Sequence, residues 1–338
     1  MRAIGFTGGR PLEDPDAFVA FEQETPVPQG RDLLIRVEAA AANPVDYKVR
    51  EGITEPQEPP RILGWDAAGV VEAVGDQVQL FKPGARVFYA GDVTRPGSNA
   101  THQLVDERIV GQAPKNLGFA EAAALPLTAI TAWEALFERL KIDPEADAGK
   151  RVLIIGGAGG VGSIAIQLAR KVAKLEIVAT ASREESRAWC TELGADHTID
   201  HSEDMAAQIK QKGIGLPDYI LCLSHTDQHF LGMVNLIAPQ GMICGIVGTK
   251  QKHDLDLLKS KSAGFVWEFM FTRSMYRTED MIEQHRLLNE IARLVEEGEI
   301  RTTLRQNLGP LSVASVRKAH GLLEQGHGVG KMVFEGFE

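Results

Sequence analysis

At 338 residues the chain has the length of two or three ordinary domains. Its 44% hydrophobic and 24% charged residues exclude a chain that is disordered, collagenous or coiled-coil as a whole. A net charge of −10, from 36 basic against 46 acidic residues, argues against nucleic acid or an anionic membrane as a partner of the general surface.

The opening MRAIGFTGG lacks the basic-then-apolar order of a signal peptide and reads as a first strand. Short apolar runs between turn residues continue through about residue 125. Segments 33–41, 69–75 and 86–90 are expected strands, with a turn at Lys82-Pro83-Gly84, and together they predict a β-rich, barrel-like unit. After Pro126 the pattern changes. Segment 129–139 reads as helix, then 151–155 as strand, 161–172 as helix, 175–181 as strand and 184–193 as helix; further strands fall at 197–200, 219–223 and 242–247. Such alternation predicts a parallel sheet covered by helices on both faces. A last long helix is expected over 280–297, with Met281, Leu288, Ile291, Leu294 and Val295 on its apolar stripe. No apolar run approaches the ~18 residues of a bilayer span. Cys190, Cys222 and Cys244 show no paired spacing, so a disulfide framework is not expected and a reducing cytoplasm is the expected compartment.

The sharpest local signal is RVLIIGGAGGVGSIAIQLARKVA. Gly157, Gly159 and Gly162 match G-x-G-x-x-G, after an apolar strand and at the opening of an apolar-faced helix, and Gly160 and Val161 within the loop are counted with them as cofactor-binding residues. Glycine serves there for a tight turn, close approach to a pyrophosphate and close helix–strand packing, while the helix N-terminus offers free N–H groups. A bare βα turn is the alternative, but the full context predicts a dinucleotide. At the end of the second strand, where an NAD site carries an acid about 20 residues past the motif, the chain reads Thr180-Ala181-Ser182-Arg183. Ser182 and Arg183 can donate to a 2′-phosphate, so NADPH is the expected cofactor. Ser182 with Glu185 also forms a capping-box pattern for the next helix, and a cap and a phosphate share that helix end.

Four segments in order, AAANPVDYKVREG, ILGWDAAGVVEAVGDQVQLFKPGARVF, ALPLTAITAWEAL and VLIIGGAGGVG, resemble the medium-chain dehydrogenase/reductase superfamily over essentially the whole chain. The resemblance is greatest to its quinone oxidoreductase-like, "zinc-type alcohol dehydrogenase-like" branch. It implies an α/β architecture: a GroES-like β-rich catalytic domain plus a Rossmann doubly wound parallel sheet, with the active site in the cleft. The expected boundaries are 1–126 for the catalytic domain, 127–264 for the Rossmann domain and 265–338 for the return. A homodimer formed edge to edge through the Rossmann sheets is also implied. Zinc members of the superfamily carry a cysteine where this chain has Asn43 and Gly-His-Glu where it has Gly64-Trp65-Asp66; residues 91–103 hold none of the structural-zinc cysteines. No metal is therefore expected. His197, His201, His225 and His229 read as loop or surface residues, with His225 alone near a strand end where ligands bind.

Without a Lewis acid, alcohol oxidation is the harder task and hydride delivery to a quinone or enone the easier one. The acceptor oxygen then needs hydrogen-bond donors and a proton source. In similar enone reductases the segment Asn43-Pro44-Val45-Asp46-Tyr47-Lys48 lines the pocket. Asn43, Tyr47 and Lys48 are the candidate catalytic residues, with Asp46 and Trp65 as pocket residues; Asn43-Pro44 as a turn, Asp46 as a cap and Trp65 as core are the alternatives. Similarity also assigns Thr128, Ser224, backbone at Gly245 and Val247, and Lys331 to the cofactor. An enoyl-thioester reductase, or a cofactor-binding regulatory or RNA-binding protein with vestigial activity, remains open as a second reading.

Overall fold

A computed structural model describes residues 1–326 and 328–338. The chain divides into two compact units, Met1–Ile130 with Phe271–Glu338, and Thr131–Met270.

The first unit begins with β1 (Arg2–Phe6), β2 (Phe18–Glu22), β3 (Asp32–Ala42), helix α1 (Pro44–Gly52), β4 (Arg61–Ile62), β5 (Asp66–Val74), β6 (Arg86–Tyr89), β7 (His102–Asp106) and β8 (Val110–Gln112). Short helices α2 (Phe119–Ala123) and α3 (Pro126–Trp133) follow. The expected helix over 129–139 starts earlier because Pro126 suits a first turn, where its missing N–H is no loss. It then changes to a π-helix over Glu134–Arg139.

The second unit contains β9 (Arg151–Ile155), α4 (Gly160–Lys171), β10 (Glu176–Thr180), α5 (Glu184–Glu192), β11 (His197–Ile199), α6 (Met205–Gln211), β12 (Tyr219–Cys222), α7 (Thr226–Leu236), β13 (Met242–Gly245) and β14 (Gly264–Trp267). Its strands lie in the order β11-β10-β9-β12-β13-β14, every neighbouring pair parallel. This is the Rossmann sheet. The chain leaves β9 toward β10 on one side and fills β12 on the other, so the order reverses at the C-terminal ends of β9 and β12, where such sheets bind ligands. Continuous apolar strands make this possible: Leu153, Ile155, Val178 and Ile220 are buried with Phe230 and Met233 of α7 in one core cluster. The unit runs six residues past the expected boundary at 264 because 264–267 forms a sixth strand bonded to β13.

The return to the first unit supplies α8 (Thr272–Tyr276), α9 (Glu283–Glu296), β15 (Leu304–Asn307), α10 (Val313–Glu324) and β16 (Lys331–Glu335). Helix α9 starts three residues later than its apolar pattern suggests. Asp280 is instead ion-paired with Arg273 ahead of the helix. In the larger, GroES-like sheet β16 and β5 flank β3, in the order β15-β16-β3-β5-β6-β8. That arrangement brings the end of β3, the start of β5 and the start of β16 together. Among the described residues no helix is long and apolar enough to cross a membrane.

Candidate active site

The glycine loop follows β9 directly. Gly156, which the motif reading passed over, takes φ 88°, a conformation that favours glycine, and its N–H donates to Thr180 Oγ1 at 2.9 Å. Gly157 donates its N–H to the Thr180 carbonyl. A Cβ on Gly162 would stand 2.4 Å from the Gly156 oxygen and 2.5 Å from that of Gly157, so no side chain fits. Gly159 is the residue before α4, and the first bond back along the helix is made by the N–H of Ser163 to the Gly159 carbonyl. The N–H groups of Gly160, Val161 and Gly162 precede that bond and have no intrahelical acceptor, as at any helix start. These residues fit a dinucleotide pyrophosphate, through a backbone cradle that a Cβ would fill and a twelve-residue helix behind it. Ser224 lies past β12 with its Oγ 3.4 Å from where a Gly156 Cβ would be.

Past the end of β10, Ser182 and Arg183 are both exposed. The helix cap forms one residue later than the Ser182/Glu185 pattern suggests: Arg183 is the N-cap, its N–H donating to Ser186 Oγ at 3.1 Å. This shift frees the Ser182 hydroxyl from a capping duty. The backbone at the end of β13 is turned toward protein partners. The Gly245 carbonyl accepts from the N–H of Glu268, and that of Val247 from Thr226 Oγ1 at 2.6 Å. His225 has φ 47° and is exposed at the start of α7. His229 corrects the surface reading. It is buried, and its pKa is pushed down to about 4 by burial first and then by His201 and His225.

In the first unit, the predicted residues meet in a buried polar knot. Lys331 opens β16 and is 3% exposed. Its Nζ donates to the Ala42 carbonyl at 2.9 Å, Asn43 Oδ1 at 2.5 Å and Asp66 Oδ2 at 2.9 Å. An ammonium has three hydrogens, and all three are committed. The expectation that Lys331 reaches cofactor phosphates is therefore corrected. Asn43 is corrected in the same way: its Nδ2 donates to Asp66 Oδ2 at 2.9 Å and to the Ala41 carbonyl at 3.4 Å, leaving no amide hydrogen for an acceptor oxygen. Asp66 was not foreseen. Its Oδ1 accepts from the N–H of Leu127 at 2.7 Å, which ties the start of α3 to the knot. The available signal was a lone carboxylate in the apolar run ILGWDAAGVV, a pattern that calls for a buried partner.

Asp46 accepts from the Asn43 N–H at 2.9 Å through Oδ2, and its buried Oδ1 has no partner. Burial raises its pKa to about 7, and neighbouring Asp66 adds to that, against the Asn43 bond and Lys331. It is a cap rather than an open pocket wall. Trp65 is completely buried, edge-on to Phe271 at 6.2 Å, so the core reading holds for it. Thr128 is buried with its hydroxyl donating to the Leu125 carbonyl. Tyr47 is half-buried and Lys48 exposed, and among the described residues neither polar end has a hydrogen-bond partner. Desolvation lowers the Lys48 pKa, opposed by Glu51, and raises that of Tyr47, helped by Glu51 and Glu324. A polar cavity of about 580 Å³ elsewhere in this unit is lined by Arg31, Arg95 and Arg108, but these arginines are paired with Glu107, Asp32 and Asp106.

The alcohol dehydrogenase GroES-like domain family matches residues 29–133, and the zinc-binding dehydrogenase family matches residues 193–334. The chain is 47% identical over 335 residues to a zinc-type alcohol dehydrogenase-like protein of Staphylococcus aureus, covering 98% of this chain and 99% of that one. It is 49% identical to the crystal structure of a putative zinc-dependent alcohol dehydrogenase protein from Rhizobium etli, with a TM-score of 0.95 over 100% and 98% of the two chains. It is 35% identical over 225 residues to an NADPH-dependent alkenal/one oxidoreductase of Arabidopsis thaliana, covering 62% of this chain and 56% of the other. The zinc that the matched family's description implies does not fit the residues present. Asn43 offers an amide oxygen already bonded to Lys331, Trp65 has no metal-binding atom, and both Asp66 oxygens are engaged.

Proposed function

The chain belongs to the medium-chain dehydrogenase/reductase superfamily, and from that premise we propose that it reduces quinones or α,β-unsaturated carbonyls with NADPH and without a metal. That it is an oxidoreductase with a nicotinamide cofactor follows from the family. The observation that carries the finer reading is the pairing of a complete dinucleotide loop with metal-ligand positions held by Asn43 and Trp65.

When bound, NADPH would supply the hydride that, together with one proton, reduces the conjugated acceptor. The N–H groups at the start of α4 hold the pyrophosphate. Ser182 and Arg183 bind the 2′-phosphate. Tyr47 and Lys48, the donors of their segment without a partner among the described residues, donate to the acceptor oxygen as negative charge develops there. The depressed Lys48 pKa makes its proton easier to release. The Arabidopsis relative, named for NADPH and for alkenals and enones, supports the same substrate class.

The direct test is NADPH oxidation against a panel of quinones and enones, beside NADP⁺ reduction with simple alcohols. Lys48→Met should lower turnover on the order of 10²-fold while sparing NADPH affinity. Faster oxidation of simple alcohols by zinc-free protein than reduction of every enone and quinone would sink the assignment. Cofactor choice is tested separately. Arg183→Ala should weaken NADPH binding by ~1–3 kcal/mol and leave NADH unchanged. Equal losses for both would remove Arg183 from 2′-phosphate recognition.

A homodimer through β14 belongs to this reading. That strand ends the six-stranded sheet, and Trp267, its last residue, and Phe269 just past it are 46% and 48% exposed. An exposed edge with aromatic side chains is a template for pairing with a second copy. Sedimentation equilibrium should find a dimer, and Trp267→Glu should shift it toward monomer. A wild-type monomer at micromolar concentration would refute it.

A further inference from the structure

The misfit with zinc has a positive side. Three oxygens of different origin converge on one point: a backbone carbonyl ending β3, the amide oxygen capping α1 and a carboxylate opening β5. Such an all-oxygen set suits a hard cation and is a poor set for zinc, whose protein sites are built mainly on nitrogen and thiolate with a carboxylate at most added to them. The point is occupied by Lys331 Nζ from β16, with Lys331 3% and Asp66 0% exposed. A charge so buried persists only when paired and fully hydrogen-bonded, and both conditions are met.

We propose that the Lys331 ammonium is a built-in cation that takes the place of a metal in this chain. It fills an oxygen cage that holds the starts of α1, β5 and α3 together and leaves no position for a divalent ion. The ammonium organises the same strand and helix ends that carry Tyr47 and Lys48, so Lys331 and Asp66 are positioning residues. The inference rests on the metal-free part of the reading above. None of its readouts uses turnover, so failure of the substrate assignment leaves it standing, and its own failure leaves that assignment standing.

A cage predicts more than an ion pair does, because an emptied cage should accept a matching cation from solution. Lys331→Ala removes three carbons and the ammonium, the shape of n-propylammonium. Added n-propylammonium chloride should raise the thermal midpoint of Lys331→Ala saturably, by roughly 2–4 °C, and leave wild type unchanged. n-Propanol and tetramethylammonium chloride, matched for concentration, should not. Equal rescue by propanol, or none by propylammonium in a folded variant, overturns the proposal. If Lys331→Ala does not fold, wild-type protein with ¹⁵N-lysine decides. One lysine ammonium resonance should exchange slowly with water, be absent from Lys331→Arg, and stay unmoved by excess Zn²⁺ or by chelator. Lack of that protected resonance, or its loss on adding zinc, overturns the proposal.

Discussion

Asp66→Ala should destabilise the protein by about 3–5 kcal/mol, the usual cost of removing one partner from a buried ion pair. Three bonds end on this carboxylate, from Lys331 Nζ, Asn43 Nδ2 and the Leu127 N–H. Alanine leaves an ammonium and two N–H groups short of an acceptor in a site closed to water. Urea unfolding measures the loss directly. The double variant Asp66→Ala with Lys331→Met should recover part of it, because no charge is then left unpaired. A double variant as unstable as the sum of the two single variants would show that the two side chains do not act as a pair.

Gly162→Val should lower NADPH affinity by at least about tenfold and reduce stability by ~1–3 kcal/mol, because its side chain meets backbone oxygens that cannot move aside. Gly159→Ala makes the informative comparison. The nearest atom to its new Cβ is 3.5 Å away, so the fold has room for it. It should weaken NADPH by crowding the phosphates while leaving the unfolding midpoint unchanged. Fluorescence titration with NADPH and thermal melts separate the two effects. Unimpaired NADPH binding by Gly162→Val would mean that the loop does not hold the cofactor.

Most of the Rossmann sheet was legible in the sequence because its signals are local. An apolar run such as 151–155 is long enough only for a strand, and the period changes at once to that of α4. The glycine loop was legible for the same reason, although the left-handed residue proved to be Gly156, one position before the motif. The cap at Arg183 moved by one residue because Ser182 and Ser186 compete for the same helix end, and local pattern alone does not choose between them.

By itself the sequence determined the alternation of strands and helices and the glycine-rich turn between β9 and α4, both of which depend on neighbours within a few residues. Tertiary structure alone decided which side chains of the NPVDYK segment remain available. Asn43 gave one amide hydrogen to Asp66, 23 residues away, and the other to the nearby Ala41 carbonyl, and Lys331 turned inward to Asp66 and Asn43, 265 and 288 residues away. A hydrogen-bond donor is free for chemistry only when no buried acceptor claims it. The claimants here come from distant strands that β3 brings side by side, so no local pattern around residue 43 or 331 could announce them.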